Sequence, residues 1–120
     1  MQYVGVDIIE ITRIEKLIHR WGETFLQRIF TPAELKLYNN TSSLAVRFAA
    51  KEAILKALGA CDKGISWQEI EILAEVNGKP FVNLVGKAKL QADESAIYKF
   101  NVSLSHSKEY AVAFVIGETI

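Results

Sequence analysis

Arg47-Phe48-Ala49-Ala50-Lys51-Glu52-Ala53-Ile54-Leu55-Lys56-Ala57-Leu58-Gly59 is the stretch on which the reading of this chain turns. Its composition predicts a helix, yet its charges do not collect on one face. At about 100° per residue, Arg47 and Lys51 point nearly with Ile54 and Leu58, while Glu52 and Lys56 lie close to Phe48 and Ala49. A helix that is apolar nearly all round is normally buried. Charges on it are costly unless they are paired, bound to a metal or turned to a ligand. Glu52, flanked by cations, therefore needs a partner.

Outward from that helix, the first half of the chain reads as one strand followed by helices. Val4 to Ile11 predicts a buried strand broken only by Asp7 and Glu10. Thr12 to Glu15 has the capping-box pattern, and the helix it opens carries Ile14, Leu17, Ile18 and Trp21 at helical spacing, with Gly22 as its stop. Phe25 to Phe30 predicts a short second helix. Thr31-Pro32-Ala33-Glu34 is a further capping box with proline at the favoured first position; that helix is expected to end near Asn39-Asn40. Ser42 or Ser43 is expected to cap the long helix, and Gly59 sits where a terminating glycine belongs.

Alternation replaces helical spacing in the second half. Ile70, Ile72, Ala74 and Val76 interleave with Glu69, Glu71 and Glu75, the mark of a half-buried strand. Asn77-Gly78 predicts a hairpin turn into Phe81 to Val85. Gly86 to Ser95 suggests a short helix, Phe100, Val102 and Leu104 another strand, and Tyr110 to Ile116 a strand apolar on both faces and hence central. Helices first and strands later argue an α+β fold, with a mainly antiparallel sheet and a long central helix.

A chain of 120 residues, 50% hydrophobic, fits one domain over residues 1–120 with room for oligomerisation. Fourteen basic residues balance fourteen acidic ones, so no global charge calls for nucleic acid or an anionic membrane. A single cysteine, Cys61, excludes an internal disulfide and argues against a cysteine-based zinc site. With no targeting pattern and no apolar run near the roughly 20 residues of a membrane span, a soluble, cytoplasmic protein is expected.

Asp7 and Glu52 are the carboxylates that stand out, because each lies in an apolar segment. Singly, Asp7 reads as a strand-end residue bonded to backbone amides, and Glu52 as an exposed pair with Lys56. Together, a strand carboxylate and a helix carboxylate can converge on one divalent cation, and Mg²⁺ suits a site with only two carboxylates, completed by water and substrate phosphates. Arg47, Lys51 and Lys56 add phosphate-binding chemistry, although basic residues also snorkel from partly buried helices. His106 extends the Phe100, Val102, Leu104 face to its strand end, between Ser105 and Ser107, as a structural residue or as an anion-binding or proton-relay one. Arg13, Lys16 and Arg20 fall within about 60° on the first helix. They read as a solvated face or as a docking stripe for an acidic protein. There is no G-x-S-x-G elbow, Walker A loop or G-x-G-x-x-G fingerprint.

In this order, the segments resemble the short bacterial 4′-phosphopantetheinyl transferases, the holo-acyl-carrier-protein synthases. The resemblance rests on Gly5-Val6-Asp7-Ile8-Ile9-Glu10-Ile11, on Phe48 to Ala53 with Lys56 to Gly59, and on Val102 to Ser107 with Tyr110 to Ala113. Thr31 to Leu35 and Asn77-Gly78-Lys79-Pro80 also match family patterns. The resemblance implies Mg²⁺-dependent transfer of 4′-phosphopantetheine from coenzyme A to a serine of apo acyl carrier protein, for fatty acid biosynthesis. It implies Asp7 and Glu52 as Mg²⁺ ligands, with Glu52 and Lys56 catalytic. Arg47, Lys56 and His106 would meet the coenzyme's phosphates, and Asn77, Gly78, Lys79 and Pro80 its nucleotide end. Arg13, Lys16 and Arg20 would receive the carrier protein, and a homotrimer would place active sites at subunit interfaces. The chain departs from the family after Gly59, where Ala60-Cys61-Asp62-Lys63-Gly64 replaces a small glycine-containing turn. Two other readings compete: a non-catalytic module that binds an acidic partner through the basic helix, and a metal-dependent phosphoester hydrolase.

Overall fold

The computed structural model describes residues 2–59 and 64–120. Strand β1 (Gln2–Glu10) leads into α1 (Ile11–Trp21), α2 (Glu23–Ile29), α3 (Pro32–Leu37) and the long α4 (Thr41–Leu58). A single 3-10 turn (Trp67–Glu69) then opens β2 (Ile70–Ala74), followed by β3 (Pro80–Leu84), α5 (Gly86–Glu94), β4 (Ile97–His106) and β5 (Tyr110–Thr119). One antiparallel sheet has the order β1-β5-β4, and β2 pairs with β3 as a separate hairpin. The α+β expectation holds, with β5 central as its two apolar faces implied.

Close approach of α4 to the sheet organises the molecule. Ala45, Ala49, Ala53 and Ala57 recur every four residues on α4, and all are buried. They face small residues on the sheet's inner side: Gly5 of β1 and Ala111 and Ala113 of β5, also buried. At Gly5 the approach leaves no room for any side chain, since a Cβ would lie 1.9 Å from the Ala53 carbonyl oxygen. Gly59 ends α4 in the left-handed conformation, φ 63°, which glycine adopts without steric cost. The core of Ile14, Phe30, Phe48, Ile54, Ile70, Ile72 and Val115 closes around this contact.

Several local expectations are corrected. β1 ends at Glu10, and Ile11 begins α1 with its amide bonded to the Glu109 carbonyl at 2.9 Å. That bond stands in for a cap, so Thr12 lies inside the helix and forms no capping box. Asn40, rather than Ser42 or Ser43, caps α4: its Oδ1 accepts the Ser43 amide at 2.8 Å. Trp21 is exposed although its spacing put it on the apolar stripe. Val76 lies in the hairpin turn, beyond β2. Nor is β1 buried on both faces: Val4, Val6 and Ile8 are 54%, 51% and 64% exposed, on the side facing away from α4. The second capping box is as expected, with the Glu34 amide donating to Thr31 Oγ1 and the Thr31 amide to Glu34 Oε1.

Lys51 does not snorkel. It is fully buried, and its Nζ donates to Glu34 Oε1 at 2.8 Å and to the carbonyls of Trp67 at 3.1 Å and Ile70 at 2.6 Å. Three acceptors match the three donors of an ammonium. Burial pulls its pKa below the ordinary 10.5, and the charge and hydrogen bond of Glu34 oppose that shift. Glu34 also accepts the Ile72 amide at 2.8 Å, so one buried pair ties α3, α4 and β2 together.

Candidate active site

Apart from Lys51 in the core and the basic stripe of α1, the residues singled out from sequence gather in two clusters, one at each edge of the three-stranded sheet. At the β1 edge are Asp7, Glu52 and Lys56. Gly5 fixes why: Ala53 and Ala57 press on it, and Glu52 and Lys56 each precede one of those alanines. Both long side chains therefore emerge on the same flank of the contact, beside Asp7, the next inward position of β1. Lys56 Nζ donates to Asp7 Oδ1 at 3.0 Å and to the Val6 carbonyl at 3.1 Å. The exposed Glu52–Lys56 pair is thus replaced by a Lys56–Asp7 pair, with side chains 50% and 16% exposed.

Glu52 is half-buried, and its pKa is raised above 4.5. Burial is the larger cause and the like charge of Asp7 the next; Lys56 and Arg13 act in the opposite direction. Glu52 is thus a partly desolvated carboxylate beside the like charge of Asp7. Among the described residues no group of three or more His, Cys, Asp or Glu surrounds a common point. A two-carboxylate donor set fits Mg²⁺, which retains several waters and takes substrate phosphates.

The second cluster lies at the β4 edge. Here a cleft of about 360 Å³ is lined by Arg47 of α4, Gly78 and Pro80 of the hairpin, and Leu104, Ser105 and His106 of β4. Asn77 and Lys79 flank it, exposed, with Asn77 Oδ1 accepting the Lys79 amide at 3.0 Å. The Arg47 guanidinium lies over the Tyr38 ring, 3.9 Å from its centroid, and no carboxylate pairs with it among the described residues. His106 is exposed, its Nδ1 3.2 Å from the Ser107 carbonyl oxygen. On the inner face Asp7 is in register with Ala113 and Ala113 with Leu104, so β5 separates the clusters by roughly 10 Å, at about 4.8 Å per strand spacing. Within one chain they do not meet.

Arg13, Lys16 and Arg20 are exposed together on α1, around one shallow groove with Leu17. Arg13 also acts electrostatically on Glu52, so this stripe adjoins the carboxylate cluster. Glu34 and Tyr38 escaped the sequence reading as functional neighbours. The unplaced charge of Lys51 was the signal for Glu34; an aromatic just before an arginine-bearing helix was the weaker one for Tyr38. The departure at Ala60 to Lys63, with Cys61, lies outside the described residues.

The described residues thus form a small α+β fold with two carboxylates at one sheet edge and an arginine without a carboxylate partner in a cleft at the other. The model of the 4′-phosphopantetheinyl transferase superfamily matches residues 3–115, and the chain belongs to that family. It is similar to the holo-[acyl-carrier-protein] synthase of Dehalococcoides mccartyi strain 195, at 52% identity over 98% of this chain and 99% of that one. The holo-[acyl-carrier-protein] synthase of Helicobacter pylori, solved in complex with coenzyme A, superposes with a TM-score of 0.86 at 35% identity, covering 96% of this chain and 99% of that one. The Neisseria meningitidis holo-[acyl-carrier-protein] synthase gives 0.87 at 35% identity, with 98% of each chain covered. The chain is accordingly a transferase.

Proposed function

We propose that this chain is a cytoplasmic enzyme of fatty acid biosynthesis that transfers 4′-phosphopantetheine from coenzyme A to a serine of apo acyl carrier protein, releasing adenosine 3′,5′-bisphosphate. The observation that carries the reading is the partition of the site: paired carboxylates at one sheet edge and an uncompensated arginine in a cleft at the other. A pyrophosphate-bearing substrate calls for both. The serine oxygen attacks the β-phosphorus, the bond from that phosphorus to the adenosine-bearing phosphate breaks, and the serine proton is released. Asp7 and Glu52 would hold Mg²⁺, which when bound supplies positive charge that stabilises the pyrophosphate oxygens. Lys56 uses two of its three donors on Asp7 and Val6. The third is free to meet the transferring or leaving phosphate as preorganised positive charge. Arg47 and His106 bind further coenzyme phosphates, and Asn77 to Pro80 border its nucleotide. The nucleophile belongs to the carrier, in keeping with the missing serine elbow.

Two surfaces complete the proposal. Arg13, Lys16 and Arg20 dock the acidic carrier, and because Arg13 adjoins Glu52, docking there delivers the serine to the carboxylate cluster. The clusters meet in a homotrimer, since a cyclic assembly sets one surface of a protomer against a different surface of the next. The exposed face of Val4, Val6, Ile8 and Phe114 offers apolar area for that assembly.

Incubation with Mg²⁺, coenzyme A and apo carrier protein is expected to add the phosphopantetheine mass to the carrier, with a carrier KM that rises with salt. A carrier of unchanged mass would sink the transferase reading and leave the binding-module one. Coenzyme A consumed without gain on the carrier would favour the hydrolase. X-ray scattering is expected to give a trimer's mass; a monomer at working concentration would overturn the assembly.

A further inference from the structure

Arg47 is half-buried and held in an unusual way for a cation. Its Nε is buried without a hydrogen-bond partner among the described residues, and Nη1 reaches only the Ser43 carbonyl of its own helix, at 3.5 Å. No carboxylate neutralises it. What fixes the guanidinium is the face of Tyr38, 3.9 Å away, an interaction that orients the charge without cancelling it. Tyr38 is itself 8% exposed, and its buried hydroxyl bonds to nothing described. Its ring packs within the hydrophobic core, and the one charged group described against it is the Arg47 guanidinium. Its backbone is pinned through the amide to the Glu34 carbonyl at 3.0 Å, and Glu34 is locked to Lys51.

We infer that Tyr38 is a positioning residue for substrate binding: its ring holds the unpaired guanidinium of Arg47 flat and open to an anionic oxygen of a phosphorylated ligand in the β4-edge cleft. This rests on the reading that the cleft takes the phosphates of coenzyme A. An arginine loses rotamer freedom when it binds a phosphate, and a preformed stack removes part of that cost before the ligand arrives. A carboxylate partner would hold the side chain as firmly but compete with the ligand for its donors. The aromatic face does not.

Calorimetric titration of the intact protein with coenzyme A, beside steady-state kinetics, tests the assignment. Tyr38→Leu is expected to weaken coenzyme binding and raise its KM roughly 3- to 30-fold, the span of a desolvated cation–π contact, with kcat nearly unchanged. Tyr38→Phe keeps the ring and is expected to stay within about twofold of the parent. In an Arg47→Ala background, Tyr38→Leu should add nothing. A merely structural role would lower the melting temperature without moving KM, and would not disappear when Arg47 is absent. Should Tyr38→Leu fail to fold, Tyr38→Met keeps more of the volume and serves the same comparison. Unchanged KM in the folded non-aromatic variant, or equal losses in Phe and Leu, would overturn the inference. Failure of the parent to bind coenzyme A would instead overturn the proposed function.

Discussion

Replacing Glu52 with glutamine is expected to reduce phosphopantetheine transfer by about 100- to 1000-fold, the usual loss when one preorganised electrostatic group is removed. The fold should survive it, and gain. Burial and the charge of Asp7 both disfavour the Glu52 carboxylate, so its pKa is raised above 4.5. A carboxyl whose folded pKa exceeds its unfolded one binds more protons in the native state between the two values. Stability therefore falls as pH rises from the unfolded pKa through the folded one, and the deficit is complete above it. Glutamine keeps the shape and has no such dependence. The melting temperature of Glu52→Gln minus that of the parent is thus expected to grow as pH rises from about 4.5 through the raised folded value, and to level off above it. Magnesium supplies the complementary readout. At a hundredfold excess over its Kd it should stabilise the parent by about 2.7 kcal/mol and the variant much less. Glu52→Gln retaining full transfer, or an equal magnesium shift in both proteins, would remove Glu52 from the metal site. A variant less stable than the parent at pH 8 would show that Glu52 serves the fold rather than the chemistry.

The same helix shows what a sequence discloses and what it withholds. Periodicity placed α4, its glycine terminator and the central β5, because those depend on local pattern and on which faces are apolar. The tension around Glu52 was also legible: an acid on a buried helix is costly wherever it lies. Which partner answers each charge was not legible, because that depends on contacts between residues far apart in the chain. Lys56 had Glu52 one turn away but instead meets Asp7, 49 positions distant, because Gly5 lets β1 come close. Lys51 had the same apparent licence to bind phosphate as Arg47, yet a 3-10 turn and β2 close over it. The false capping box at Thr12 failed for a related reason. A hydrogen bond from Ile11 to Glu109 satisfies the amide that a cap would have served. Resemblance to a family assigned roles to Asp7, Arg47 and His106, but the division of those roles between two sheet edges emerges only from the strand order.

Lys51→Met is expected to destabilise the protein by about 3–5 kcal/mol, the range for breaking a buried ion pair by removing one partner. That is a large share of the roughly 5–15 kcal/mol typical of a whole domain. The loss comes less from the missing bonds than from what stays behind. Glu34 is fully buried, and without Lys51 its charge has only the amides of Thr31 and Ile72 to solvate it. The carbonyls of Trp67 and Ile70 lose a donor as well. Methionine fills the space and supplies none of this. Adding Glu34→Gln should therefore restore roughly half or more of the stability, since the uncompensated charge is gone and one amide oxygen still accepts. Urea denaturation of the parent, both single variants and the double variant separates the terms as a double-mutant cycle. A double variant as unstable as the sum of the singles would show that the two residues act independently, against the geometry. Because Lys51 precedes Glu52, the buried pair also sets the rotation of α4 about its axis. It aims one charge into the core so that the next can face Asp7. Transfer activity should accordingly recover with the double variant's folded fraction, whereas no stabilising change elsewhere should restore activity to Glu52→Gln.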